Sequence, residues 1–366
     1  PYDLVILDVM MPEMSGLDVL EVLRQAHAMT DLPIIMASAL DESGDVVKAL
    51  ALGANDYVTK PIDFPILLAR IRTQLALKAA VDRVRRLEVN LAVHNQELSE
   101  ANQKIGVYVD RMQADLRAAA RIQRGLLPSA APEINGVEFA WTYRPCEELA
   151  GDLLNIVVLD ERTVALYVLD VSGHGVAAAL LAVSLNQLLS APHEPHSLLV
   201  MRDPATGAMV PTPPVHLASE LNRLFPMEQV TAQYFTLLYG LLDVPTGRFR
   251  YVSAGHPDPI IVTQDSVRVL EGKSGAPIGF FSESDYQESE LTLNPGDRLY
   301  LYSDGLTEAG SAQHDFFGEE RVQEALQREQ TGPLDASLAR LVETVEAWCD
   351  GHGISDDLTA LALQLG

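Results

Sequence analysis

The chain has 366 residues, 48% hydrophobic and 21% charged, enough for two or three globular domains, and its net charge of −25 argues against nucleic acid or an anionic membrane as partner, since both select basic patches. Two cysteines are too few for a disulfide framework, which points to a reducing cytoplasm; neither Cys146 nor Cys349 has an arginine six positions on (Asp152 and Ser355 stand there), so the cysteine-phosphatase loop is excluded. Neither a signal peptide nor an apolar run of about 18 residues is read, so no membrane segment is expected.

The first third reads βαβαβ. Residues 4–7 are continuously apolar, as in a strand buried on both faces, and stop on Asp8. LPIIMASA gives a second strand ending near Ser38, and NDYVTKP a third ending on Lys60, with helices expected at about 16–28 and 43–52. Chemistry in a parallel sheet gathers beyond the carboxyl ends of its strands, so Asp8, Ser38 and Lys60 are expected to meet. DVMMP and YVTKP resemble a two-component receiver domain, a flavodoxin-like α/β fold. The resemblance implies a phosphoacceptor at Asp8 served by a histidine kinase, switch residues at Ser38 and Tyr57, and a phosphate contact at Lys60. It also implies that residues 1–70 are a partial receiver, read from the family's third strand, without the first strands and the Mg²⁺-binding acidic pair.

From Leu77 a spacing of four and three repeats to Leu126, the mark of a heptad. One column is apolar or small throughout: Leu77, Val84, Leu91, Leu98, Ile105, Met112, Ala119, Leu126. The other is mixed: Val81, Glu88, Asn95, Asn102, Val109, Leu116, Gln123. Asn at a seam sets register and favours two strands, so residues 71–127 are expected to form a linker whose helix, about 70 Å long, pairs in a parallel homodimer. Gly106 is a soft point and Pro128 ends the helix.

Residues 128–366 change pattern. Strands are expected at 137–144, 153–160, 163–170, 234–243, 247–253, 258–264, 266–271, 297–303 and 358–364, with VPTG closing one hairpin. Helices are expected at about 175–190, 215–225, 318–328 and 333–349, which makes an α+β sandwich of antiparallel sheets flanked by helices. Acids stand at strand edges in four places: Asp152 after Gly151, Asp170, Asp304 before Gly305, and the pair Asp356–Asp357. If these converge they repel one another, and a hard cation such as Mg²⁺ or Mn²⁺ is the natural remedy. Two such ions about 4 Å apart, sharing Asp170, would hold a hydroxide for in-line attack on phosphorus. The turn after Asp170 would expose the Val171 carbonyl as a further ligand, and Gly173 and Gly175 permit the bend into the next helix.

The ordered set AGD (150–152), DVSGHG (170–175), YFTLLYGLLD, SAGHPDP (253–259), SDGLTEA (303–309) and SDDLT (355–359) closely resembles the metal-dependent protein phosphatases (PPM, type 2C), in their SpoIIE/RsbU-like branch. ARIQRGLLP (120–128) resembles that branch's regulatory switch helix. The resemblance implies that Asp152, Asp170, Asp304 and Asp356, with the Val171 carbonyl, hold two Mn²⁺ or Mg²⁺ ions, and that Asp357 supports them. It departs at AGDLLN, where relatives often have GGD, two aromatics and Asp. His174 is a candidate general acid, His256 a loop-ordering residue, and His193 and His196 part of a solvated loop over 191–214. The family implies hydrolysis of phosphoserine or phosphothreonine on a phosphorylated anti-sigma factor antagonist (a STAS-domain protein), releasing a sigma factor by partner switching. The rival reading is a phosphatase-like binding module that sequesters its partner without turnover.

Overall fold

The computed structural model describes residues 2–39, 43–191, 193–194, 196–226, 233–311, 313, 315–351 and 354–366. Two compact units divide the chain, Pro1–Val109 and Asp110–Gly366. Among the described residues, no helix is long and apolar enough to cross a membrane.

The first unit opens with β1 (Val5–Asp8), α1 (Gly16–Ala26), β2 (Ile34–Ala39), α2 (Ser43–Ala51) and β3 (Asp56–Lys60). The strands are parallel, in the order β1-β2-β3, with Val5 opposite Ile34 and Ile35 opposite Asp56. The central strand β2 is buried on both faces. Ile34 and Met36 join Leu7, Leu20 and Ala49 on one side, while Ile35 and Ala37 meet Val58 and Leu67 on the other. This period of two explains its continuously apolar sequence. A capping box of Ser15 and Asp18 starts α1.

A single helix of 61 residues follows, α3 (Phe64–Arg124). It starts earlier than the expected 71 because its first turns have work on the sheet: Leu67 and Ile71 close the second face. Arg70 pairs with Asp56 and stacks over the Tyr57 ring, 5.5 Å from its centre. Further along, Leu77, Val84, Leu91, Leu98 and Ile105 stand exposed on this chain.

The second unit contains β4 (Val137–Arg144), β5 (Leu153–Val158), β6 (Thr163–Val171), α4 (Val176–Leu188), β7 (Val200–Arg202), β8 (Met209–Pro211), α5 (Pro214–Leu224), β9 (Phe235–Asp243), β10 (Arg248–Ala254), β11 (Ile260–Val262), β12 (Val267–Val269), β13 (Ser289–Thr292), β14 (Arg298–Tyr302), α6 (Gly318–Arg328), α7 (Leu334–Trp348) and β15 (Leu358–Leu365). Two antiparallel five-stranded sheets result, β13-β10-β9-β6-β5 and β12-β11-β14-β15-β4. Side chains alternate across them. Leu166 and Val168 of β6 meet Leu361 and Leu363 of β15 between the sheets. Ala165 and Tyr167 turn outward beneath α4 and α5, and Ala360 and Ala362 beneath α6 and α7. Four layers follow from central strands, such as β6 and β15, that are largely apolar on both faces.

Three expectations are corrected. The stretch 191–214 is not simply a solvated loop: it carries the β7–β8 hairpin, with Leu199 and Thr212 buried. Its Pro192 and Pro195 lie outside the described residues, and His193 and His196 are exposed. Strand β13 was absent from the pattern, because SELT has one apolar residue, Leu291, among three polar ones and reads as a loop. The last turns of the heptad do not form a free seam: Leu116, Ala119 and Ala120 pack against Leu149 and Ala179 of the same chain.

Leu361 is wholly buried between the sheets. Leu361→Ala is expected to cost about 3 kcal/mol, read as a lower midpoint in denaturant unfolding of the second unit.

Candidate metal centre

The expected acids collect at one end of the sandwich because antiparallel strands bring the start of one beside the end of the next. Asp152 immediately precedes β5, and Asp170 is next to last in β6, whose Leu169 pairs with Leu153. Asp304 follows β14, and Asp356 and Asp357 precede β15, its partner strand. The first pair therefore comes from one sheet and the second from the other.

Two side chains tie the sheets together here. Ser303, fully buried, donates from Oγ to Asp152 Oδ2 at 2.7 Å and accepts from the Thr359 N–H at 3.0 Å. Asp357, also buried, accepts from the N–H of Cys146 at 2.9 Å and of Gly151 at 2.7 Å. Asp357 thus fixes both ends of the segment before Asp152. The Val171 carbonyl faces that segment: a Cβ on Gly151 would stand 2.8 Å from its oxygen, so no larger residue fits without a shift. Gly173 and Gly175 take φ of +84° and +83° as the chain turns into α4, a backbone that glycine adopts freely.

The electrostatics are those of acids forced together. Burial, and then the Asp170 charge, push Asp152 well above the usual carboxylate range. Burial pushes Asp170 up to about 7, with Asp304, Asp356 and Asp357 adding to it, and pushes Asp304 up to about 6, with Asp356 and Glu308 adding. Asp356 is raised too, by burial first and then Asp357. Asp152 Oδ1 is buried and, among the described residues, has no hydrogen-bond partner. A carboxylate oxygen left this way is costly unless a cation answers it. The donor set is all hard oxygen, which fits Mg²⁺ or Mn²⁺. No three of Asp152, Asp170, Asp304 and Asp356 have oxygens mutually within 4.8 Å; among the described residues the tight group is Cys146, Asp356 and Asp357. Burial, with Asp357 beside it, pushes the Cys146 thiol up to about 12, so it is no thiolate nucleophile.

His174 is exposed at the rim, its Nδ1 3.2 Å from Glu147 Oε1. His256 is buried; Thr236 Oγ1 lies 2.7 Å from its Nδ1, and its carbonyl accepts from Ser253 Oγ, which is a loop-ordering arrangement. In the first unit, Lys60 contacts Asp8 directly and holds its carboxyl low, Ser38 is buried, and Tyr57 lies under Arg70. Sequence reasoning missed two residues. Ser303 was read only as the neighbour of Asp304. Gln123 was read as a seam position, yet it is buried and brackets Ala150: its Nε2 donates to the Ala150 carbonyl at 2.7 Å and its Oε1 accepts from the Ala150 N–H at 3.2 Å. A glutamine in a heptad column between Leu116 and the helix end was the available signal.

Residues 160–366, over half of the chain, match the sequence model of the family described as Stage II sporulation protein E (SpoIIE). The chain belongs to the SpoIIE family. Residues 1–72 match the response regulator receiver domain. Phosphoserine phosphatase RsbP of Bacillus subtilis is 27% identical over 66% of this chain and 56% of its own length. The chain spans about half the length of the first curated relatives it matches. The SiaA-PP2C domain of Pseudomonas aeruginosa superposes with a TM-score of 0.59 at 22% identity, over 70% of this chain and 98% of that one, a likeness of fold. The RsbU and RsbW domains of Rv1364c from Mycobacterium tuberculosis give 0.50 at 28% identity, over 64% and 61%.

The raised acids of this SpoIIE-family domain set a pH dependence. Asp170 ionises near 4 when unfolded and about 7 when folded without metal, so the folded state binds the extra proton between those values. Stability of the metal-free protein should therefore fall as pH rises from about 4 through about 7. Asp170→Asn should raise the metal-free melting temperature at pH 8 by about 5 °C, and Mn²⁺ should stabilise only the unsubstituted protein to a comparable extent; thermal scans at pH 5.5 and 8 with and without chelator check this.

Proposed function

We propose that this chain is a response regulator whose output is a metal-dependent protein serine/threonine phosphatase. The observation that carries the reading is the buried, unpartnered oxygen of Asp152 among carboxylates that raise one another. Asp152, Asp170, Asp304 and Asp356, with the Val171 carbonyl, would hold two Mn²⁺ or Mg²⁺ ions. When bound, the ions supply neutralisation of phosphate charge and activation of water. The chain's own residues do the rest. Ser303 and Asp357 keep Asp152 and its segment in place, and Gln123 holds the residue before Gly151. His174 stands at the rim, where a proton is needed by the departing seryl or threonyl oxygen. No side chain takes the phosphoryl group, in keeping with a protonated Cys146.

Likeness to RsbP and RsbU, both named phosphoserine phosphatases, supports phosphoserine or phosphothreonine on a protein as substrate. Within that reading the substrate is a phosphorylated anti-sigma factor antagonist of the STAS type, in a cytoplasmic partner-switching pathway. A histidine kinase would phosphorylate Asp8 of the complete receiver. The exposed column Leu77, Val84, Leu91, Leu98 and Ile105 supports a homodimer through a parallel coiled coil.

Two measurements test this. Purified protein should release phosphate from p-nitrophenyl phosphate only with Mn²⁺ or Mg²⁺, and Asp170→Asn should lose more than the roughly 100-fold that removal of an outer-shell partner costs. If it holds a phosphorylated antagonist without turning it over, the binding-module reading replaces this one. Separately, Leu91→Lys/Leu98→Lys should halve the mass seen in light scattering; a mass unaffected by the double substitution refutes the coiled-coil dimer.

A further inference from the structure

His174 sits between Gly173 and Gly175, both at positive φ, so neither neighbouring residue has a side chain to pack against its ring. Among the described residues its ring has one ionic contact, Nδ1 to Glu147 Oε1 at 3.2 Å. The other oxygen, Glu147 Oε2, lies over the same turn, 3.9 Å from the position of a Cβ on Gly175.

Glu147 rises from a firm base. Its segment is anchored at both ends by the buried Asp357 carboxylate, through the N–H of Cys146, the residue just before it, and that of Gly151. The same carboxylate neighbours Asp356, on whose acidity the charge of His174 acts. A rigid platform therefore carries a carboxylate to a histidine that lacks one, beside the aspartates. An imidazole whose Nδ1 is engaged by a carboxylate has its tautomer and ring plane set, and Nε2 is left as the working nitrogen.

We propose that Glu147 is a positioning residue for His174, holding the protonated ring through Nδ1–H so that Nε2–H gives its proton to the oxygen that leaves phosphorus and the neutral ring keeps its proton on Nδ1 beside Glu147. In that step water adds to phosphorus and the bond from phosphorus to the seryl oxygen breaks. The bonding pair goes to that oxygen, which takes the Nε2 proton. Serine hydroxyl and hydrogen phosphate are released, the attacking water gives up one proton to solvent, and the ring recovers one from it. The inference rests on the phosphatase reading above and adds a role to a residue outside the carboxylate set.

The test uses the full chain with Mn²⁺ and aryl phosphates graded by leaving-group basicity. p-Nitrophenolate leaves without needing a proton; phenolate needs one. Glu147→Gln is expected to steepen the dependence of kcat on that basicity, so that the loss on phenyl phosphate exceeds the loss on p-nitrophenyl phosphate by about tenfold, below the 10²–10⁴ of a complete general acid. His174→Ala should steepen it at least as much, and the double variant should be no steeper than His174→Ala alone. An equal loss on every ester, an unchanged slope, or slopes that add in the double variant would each overturn the proposal while leaving the phosphatase reading intact. Unsubstituted protein inert towards every ester with Mn²⁺ would overturn both.

Discussion

A carboxylate sealed from water has to be answered, and Asp152 is answered on one side only. Ser303 reaches one oxygen from the opposite sheet; the other is buried and, among the described residues, accepts no hydrogen bond. Much of the second unit can be understood as the apparatus that makes this tolerable. The sandwich core between Leu166, Val168, Leu361 and Leu363 holds two sheets face to face. The sheet ends then deliver four acids from chain positions some 200 residues apart. Hydrophobic burial is non-directional, so it supplies the force but not the placement. Placement comes from Ser303 and Asp357, whose hydrogen bonds join strands that the core merely presses together.

Legibility in the sequence followed locality. β6 and β15 could be read from apolar runs, because both faces of each strand are covered. The acids were legible because each stands at the edge of such a run, three of the four sites with a glycine adjacent or close by. The three parallel strands of the first unit announced themselves in the same way. What could not be read was partnership. Nothing around Ser303 says that its hydroxyl belongs to a residue 151 positions away. Glu147 reads as one of a surface pair of glutamates until Asp357 is seen pinning the backbone on either side. Strands as short as β7 and β8, of three residues each, hold too few side chains for a period to show.

The long helix makes the same point at another scale. A repeat of four and three establishes that one face is apolar; it is silent about what covers that face. Between Leu77 and Ile105 the column meets no part of its own chain's core. From Leu116 onward the same repeat is absorbed by Leu149 and Ala179, and Gln123, which the pattern treats as a polar seam residue, is committed to backbone. One continuous helix is therefore exposed along one stretch of its apolar column and packed along another, without any break in its periodicity.

The amide bracket of Gln123 on Ala150 has little slack. One of its hydrogen bonds is already 3.2 Å long, close to the outer limit of such contacts, and the two must lengthen or hold together because one planar amide makes both. A slide or twist of the helix end by about one ångström would break them, and among the described residues the backbone two residues ahead of Asp152 would lose the side-chain anchor that this helix gives it. Asp357 and Ser303 would still hold Gly151 and Asp152 from the other side, so the helix end bears on the acidic cluster through one contact of narrow tolerance.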